Sequence, residues 1–288
     1  MNINHRYIKI ALKLVFTGLI LLFVFTKIPA GRLFSLIQSA NFGYIIPAFI
    51  FFIASKIFSS IRQFEIFTNE KIVIDKSYNH KIYLLGMFYN IFLPGGIGGD
   101  GYKVIKIEKD YGYTYKTLTK IIFLDRLSGL VALCNIGCIL FLTIRIDQLS
   151  IILFGLNIIL NAAFYFFIHK KISSTIYTIK TEVLSWLVQL MQCICAYFIL
   201  QALHIYLHTG AYLFLFLLSS VAALFPFTIG GLGAREYAFL IIGPYLLLDT
   251  ENAVCIGLLF YFITLSVSVL GIYYVFKSII KTSGYASS

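Results

Sequence analysis

Charged side chains stand in or beside apolar stretches of this sequence at six positions: Lys56, Asp100, Asp125, Arg126, Arg235 and Glu236. A charge in hydrocarbon is costly, and such residues usually belong to a ligand site, a transport pathway or an internal ion pair. Asp125 and Arg126 are about 100° apart on a helix, so they cannot satisfy each other fully. We therefore expect Asp125 to face Arg235. We expect Arg126 to face Asp100 or Glu236.

Two glycine-rich octets form an internal repeat. The octets begin at Pro94 and Pro226, which are 132 residues apart, and they agree at the proline, one isoleucine and three glycines. Each follows an apolar segment. Non-helical backbone at membrane depth is tolerated only where protein or a water-filled cavity covers its polar groups. The octets therefore mark two polar places inside an apolar chain.

A helix that starts at each octet would direct free N–H groups and a positive dipole end at one place, which is a typical anion site. A lipid phosphate is the natural candidate. Two plainer interpretations stay open: the glycines only permit tight turns and close helix packing, or the ion pairs only hold the segments together, with Asp100 as a helix cap. The predicted substrate-binding residues are Gly98, Gly99, Asp100, Asp125, Arg126, Gly230, Gly231, Arg235 and Glu236.

The composition indicates an integral membrane protein. The 288 residues are 60% hydrophobic and 12% charged, whereas about 25% of the residues in soluble domains are charged. The net charge of +11 is then explained by basic cytoplasmic loops beside anionic headgroups rather than by nucleic acid. The five cysteines lie in apolar stretches without disulfide or zinc spacing. We expect no metal and no cofactor.

Six segments are long enough to cross about 30 Å of hydrocarbon. These predicted spans are 11–28, 44–61, 121–144, 150–168, 183–206 and 253–276. The first has the basic start of a signal peptide but lacks a small-residue cleavage site, so we interpret it as an uncleaved helix. The segments 82–93 and 211–225 are too short to cross and run into the octets.

The distribution of basic residues predicts the topology. Lysine and arginine concentrate in three loops and the tail, which we assign to the cytoplasm: 62–81, 102–120, 169–182 and 277–288. The loops 204–210 and 249–252 contain neither residue. Segment 82–93 then enters and leaves from the cytoplasm, and segment 211–225 does so from outside. Both termini are expected in the cytoplasm.

The predicted fold is an all-α polytopic membrane protein with six spanning helices and two Gly/Pro-broken re-entrant segments. It forms a single membrane domain over 1–288, with halves at about 1–148 and 149–282 in an inverted-topology repeat and a short tail over 277–288. Paired, interrupted helices at corresponding positions of two halves are typical of a transporter with its binding site near the midplane.

Three motifs, in this order, resemble the lysylphosphatidylglycerol synthase transmembrane region family, also called flippase-like domain proteins. They are Leu93–Asp100, Leu124–Leu130, and Pro226 with Gly230–Glu236. The resemblance covers nearly the whole chain and implies a polytopic bacterial or archaeal protein that translocates lipid. Two-part members of the family carry a cytosolic aminoacyltransferase domain after the membrane region. Because this sequence stops at Ser288, lysyl transfer onto phosphatidylglycerol is not expected.

The leading functional prediction is a flippase-like transporter in the cytoplasmic membrane for a lipid or a lipid-linked, phosphate-bearing substrate. The sequence contains no P-loop for ATP. One alternative is a membrane-embedded transferase acting on lipid or polyprenyl phosphate. Such an enzyme would need clustered carboxylates or a metal site, and only Asp100 and Asp125 are candidates for one. Another is a non-catalytic subunit of an envelope-glycan assembly complex. Expected partners are the bilayer, the lipid substrate, and a second copy or an envelope-biosynthesis protein, but not nucleic acid.

Overall fold

The computed structural model describes residues 3–92, 98–144, 146–168, 179–224, 228 and 230–274. Within these residues the regular structure is helical, as predicted. The α-helices are α1 (Ile3–Lys27), α2 (Ala30–Gln38), α3 (Phe42–Asn69), α4 (Lys76–Phe92), α5 (Gly98–Tyr111), α6 (Tyr115–Ile144), α7 (Gln148–Phe167), α8 (Ile179–Ala202), α9 (Thr209–Ala222), α10 (Ala234–Ile242) and α11 (Thr250–Val269).

Five of the described helices, α3, α6, α7, α8 and α11, are long and apolar enough to cross a membrane. The count becomes six if α1 and α2 are taken as one span, because an 84° bend separates them. The bend lies at Pro29, whose extended backbone precedes α2 and whose ring cannot donate a helical hydrogen bond. The prediction of an all-α polytopic membrane protein is confirmed, although α2 was not predicted.

Helix α3 extends beyond its predicted end. It continues from residue 61 to Asn69 because Ile66 and Phe67 on this last part are fully buried. Residue 62 therefore belongs to a helix rather than to a loop. At the other end of the molecule, α8 stops at Ala202 instead of reaching 206, and His204 adopts a left-handed conformation with φ 58°.

Two pairs of short helices flank the octets. The pair α4 and α5 pack against each other, and so do α9 and α10. Helix α5 begins at Gly98, inside the first octet, and α10 begins directly after Gly233, the last residue of the second. Octet residues 94–97, 226, 227 and 229 lie outside the described part of the chain, as does the predicted tail 277–288.

The same order of helices occurs twice. A long helix, two short ones and a long one follow in α3–α6 and again in α8–α11. Helices α3 and α8, which correspond in this order, form the most extensive helix contact among the described residues, while α6 packs on α9 and α11 packs on α4. Residues of all four short helices thereby line one cavity together with the long helices.

Helix α7 lies at the periphery, with mostly exposed apolar side chains such as Ile151 and Ile159. Three asparagines connect it to α6. The Asn157 and Asn161 side-chain amides donate to Asn135 Oδ1 at 2.9 and 2.7 Å, and Asn135 donates back to Asn161 at 3.1 Å. Such interhelical amide hydrogen bonds are typical of helix packing in lipid, because burial of apolar surface does not favour helix association there.

Candidate functional site

A polar cavity of about 260 Å³ lies where the two pairs of short helices approach α3, α6, α8 and α11. Its volume is far above the ~10–15 Å³ that one water molecule requires. Five cationic side chains reach its wall, whereas Asp125 is the one acidic residue among the lining residues in the described part of the chain. The cations are Lys56, Arg62, Lys103, Arg126 and Arg235.

Asp125 on α6 is paired with Arg62 on α3. Arg62 Nε donates to Asp125 Oδ1 at 2.8 Å, and Arg62 also donates to Ser185 on α8 at 3.2 Å. Both partners of the ion pair are buried. The predicted contact between Asp125 and Arg235 was therefore wrong, because α3 continues far enough to supply a closer cation.

Asp100 on α5 is shared by two cations. Arg126 Nε donates to its Oδ2 at 2.8 Å, and Lys103 Nζ lies 3.4 Å from its Oδ1. The expected pairing of Arg126 with Asp100 is thus present, and Asp100 is not the cap of α5. Arg126 keeps 45% of its side chain exposed, and it lines the cavity.

Lys103 is held in place by amides from the neighbouring helices. Its ammonium donates to Gln63 Oε1 at 2.8 Å and lies 4.7 Å from the Tyr83 ring centroid. Gln63 in turn donates to Asn79 at 2.9 Å, and Asn79 donates to the Ser60 carbonyl at 2.8 Å. This buried network fixes the direction of a charged side chain that is only 4% exposed.

Arg235 and Lys56 have neutral partners. Arg235 donates to the Ser220 hydroxyl at 3.0 Å, and its guanidinium lies 4.7 Å from the Phe260 ring centroid. Lys56 Nζ lies 4.5 Å from the Phe52 ring centroid. Among the described residues, no carboxylate is within salt-bridge distance of either side chain. Aromatic faces attract cations but leave their charge uncompensated.

Glu236 is fully buried beside the cavity rather than on its wall. Its Oε2 accepts the Gly233 N–H at 2.7 Å, which caps the start of α10. Its Oε1 has no hydrogen-bond partner in the described structure, and a Cβ added at Gly257 would lie 3.0 Å from it. Arg126 is not its partner, so this alternative pairing is not observed.

Two of the octet glycines, Gly99 and Gly231, allow close packing. A Cβ at Gly99 would overlap the Gly86 carbonyl oxygen of α4, and Asn90 accepts the Gly99 N–H at 2.9 Å. Gly231 has φ 87°, and a Cβ added there would lie 2.8 Å from the Ala223 Cβ. Gly230 lines the cavity. Gly98 is partly exposed and is the first residue of α5, but it does not line the cavity. At Gly99 and Gly233 side chains already accept the N–H, so the cations carry the charge of the site.

Two cations of the wall were misassigned from the sequence. Arg62 and Lys103 were counted as loop residues because each follows an apolar segment or an octet. The internal repeat held the missing signal for Lys103, since it lies 132 residues before Arg235 and therefore occupies the same repeat position. No sequence signal distinguished Arg62 from the loop lysines that follow it.

The fold and the site define a polytopic membrane protein with a cation-lined cavity at the centre of its helices. The chain belongs to the lysylphosphatidylglycerol synthase TM region family, whose sequence model matches residues 10–271. No curated protein matches the chain.

Proposed function

We propose that this protein moves a lipid or lipid-linked substrate that bears phosphate across the cytoplasmic membrane. The observation that carries the proposal is the excess of positive charge on a cavity wall inside a membrane protein. Cations at membrane depth are retained where they bind a ligand or line a pathway. Arginine and lysine are also the side chains that recognise phosphate best, arginine through its planar fork.

The repeated helix order supports a transport cycle. We infer that α3–α6 and α8–α11 are the two inverted halves, with α4/α5 and α9/α10 as re-entrant pairs that enter from opposite faces. Helix α9 has 14 residues and would cover only about 21 Å at 1.5 Å per residue, short of the ~30 Å of hydrocarbon. Lys103 and Arg235, at equivalent repeat positions, would then approach one substrate from the two sides.

Purified protein in lipid vesicles gives the test, with labelled phospholipid or labelled lipid-linked phosphate as substrate. Lys103→Gln and Arg235→Gln should each reduce the rate of movement at least ~10-fold, the effect of losing one charge-assisted hydrogen bond. Arg235→Lys should also slow movement, because the charge stays but the planar fork is lost.

Lys116→Gln is the matched control, since Lys116 is an exposed lysine at the start of α6. Insertion and thermal unfolding are measured for every variant. Movement at the parental rate by folded Lys103→Gln and Arg235→Gln proteins would reject the cavity as the substrate site. Parental protein that moves no lipid would instead favour a transferase or a subunit role.

A further inference from the structure

The cavity wall carries more positive charge than its own carboxylates can balance. Five cations reach the wall, while the adjacent carboxylates in the described structure are Asp125, Asp100 and Glu236. Even if all three are ionised, at least two positive charges remain. The surplus is in a bundle where charge is expensive to leave uncompensated.

The contacts show which of these cations have no carboxylate partner among the described residues. Asp125 balances Arg62, and Asp100 is divided between Arg126 and Lys103. Lys56 and Arg235 contact an aromatic face and a hydroxyl rather than a carboxylate. Their charges come from α3 and α10, so they reach the cavity from different halves of the helix order.

On this basis we propose that the site selects a head group with two or more negative charges at one end, namely a phosphomonoester or a diphosphate. The inference rests on the proposed function and narrows its substrate class. A dianion can contact both Lys56 and Arg235 and compensate both. The single charge of a phosphodiester leaves one of them unbalanced, and an aminoacylated head group adds a like charge that the cations repel.

The volume and the partners fit such a group. A terminal phosphate has three oxygens free to accept hydrogen bonds, and arginine can bind two of them with parallel bonds. Lysine contributes a compact point charge with three donors. The same chemistry is offered by a lipid-linked phosphate and by free phosphate or diphosphate, so the two sources must be compared directly.

The test measures binding to the full chain in neutral detergent by ligand-induced thermal stabilisation. The lipids are phosphatidic acid and dodecyl phosphate as monoesters, phosphatidylglycerol as the phosphodiester, and lysylphosphatidylglycerol as the aminoacylated lipid. At pH 8 the monoesters should bind roughly tenfold or more tightly than phosphatidylglycerol, the effect of one more charge-assisted contact. Lysylphosphatidylglycerol should bind most weakly.

Two variants separate charge recognition from general lipid binding. Lys56→Gln and Arg235→Gln should lower monoester affinity to that of phosphatidylglycerol, whereas Lys116→Gln should leave the ratio unchanged.

Equal or tighter binding of phosphatidylglycerol at pH 8 would overturn the charge rule, while the proposed lipid transport would stand. A ratio that persists in folded Lys56→Gln and Arg235→Gln proteins would overturn the assignment of these residues. Stabilisation by diphosphate or inorganic phosphate, together with no stabilisation by any of the four lipids, would support dianion recognition but reject the lipid as its source, and with it the proposed function.

Discussion

Arg62 Nε and Asp125 Oδ1 are 2.8 Å apart and connect α3 to α6 at the edge of the cavity. The two side chains are 6% and 8% exposed, so neither charge is balanced by solvent. A pair of this kind contributes little net stability, since the desolvation penalty offsets the attraction, but the loss of one partner leaves a buried charge.

Removal of one partner should therefore cost more than removal of both. Asp125→Asn and Arg62→Met should each lower the free energy of unfolding by about 3–5 kcal/mol, while the double variant should recover most of that loss. Chemical unfolding in detergent micelles gives the comparison. Additive effects in the double variant would contradict a direct pairing of these side chains.

The contact between α4 and α5 predicts opposite effects at two neighbouring glycines. Gly99→Ala places a methyl group on the Gly86 carbonyl oxygen, so we expect a destabilisation of about 1–3 kcal/mol, as for an overpacked core. Gly101→Ala, where nothing lies within 4 Å of an added Cβ, should be neutral or stabilise α5 by up to about 1 kcal/mol.

Thermal unfolding of both variants in the same detergent provides this test, and Gly101→Ala serves as the control for glycine replacement in α5. Equal stability of the Gly99→Ala and parental proteins would show that the two short helices are not in close contact at Gly86.

The asparagine cluster predicts how α7 is attached. Asn135→Leu removes the shared acceptor and donor between α6 and α7, so the helices should separate more easily, at a cost of about 1–2 kcal/mol. Thr143→Val is the control, because the Thr143 hydroxyl bonds the Leu140 carbonyl of its own helix at 2.6 Å. Thermal unfolding in the same detergent should begin at a lower temperature in Asn135→Leu only.

The topology is testable by labelling. In a variant without the native cysteines, Tyr206→Cys should react with an impermeant reagent from outside, and Lys116→Cys should react only from the cytoplasm, since basic loops stay inside. Tyr206 is 60% exposed, so accessibility does not limit the reaction. Labelling of both positions from one face would contradict the inverted-repeat proposal.

The helical membrane fold could be predicted because composition and segment length are strong constraints in a bilayer. The positions of the helix ends were harder to predict. The predicted end at 61 was wrong because Ile66 and Phe67 find a buried environment that a local window of hydropathy does not detect. Helix α2 was missed since a proline and a 9-residue amphipathic stretch are also typical of a loop.

The ion pairs beside the cavity were predicted in part. The pairing of Arg126 with Asp100 could be predicted because both residues lie near apolar segments, where an unpaired charge is energetically costly. The partner of Asp125 could not be chosen from sequence, since Arg62 and Arg235 are equally plausible until the relative height of α3 and α10 is known. The position of Lys103 on the cavity wall was hidden by its place among the lysines of a basic loop.

The positions of Lys103 and Arg235 on different short-helix pairs have a mechanical consequence. Both cations reach the wall of one cavity, and Lys103 shares its carboxylate, Asp100, with Arg126. Like charges repel, so the empty cavity opposes a close approach of the two pairs. A polyanion held between them changes the sign of that interaction and draws the pairs together. Occupancy would thus set the direction of the force between the two pairs of short helices, and a loaded protein would resist unfolding more than an empty one.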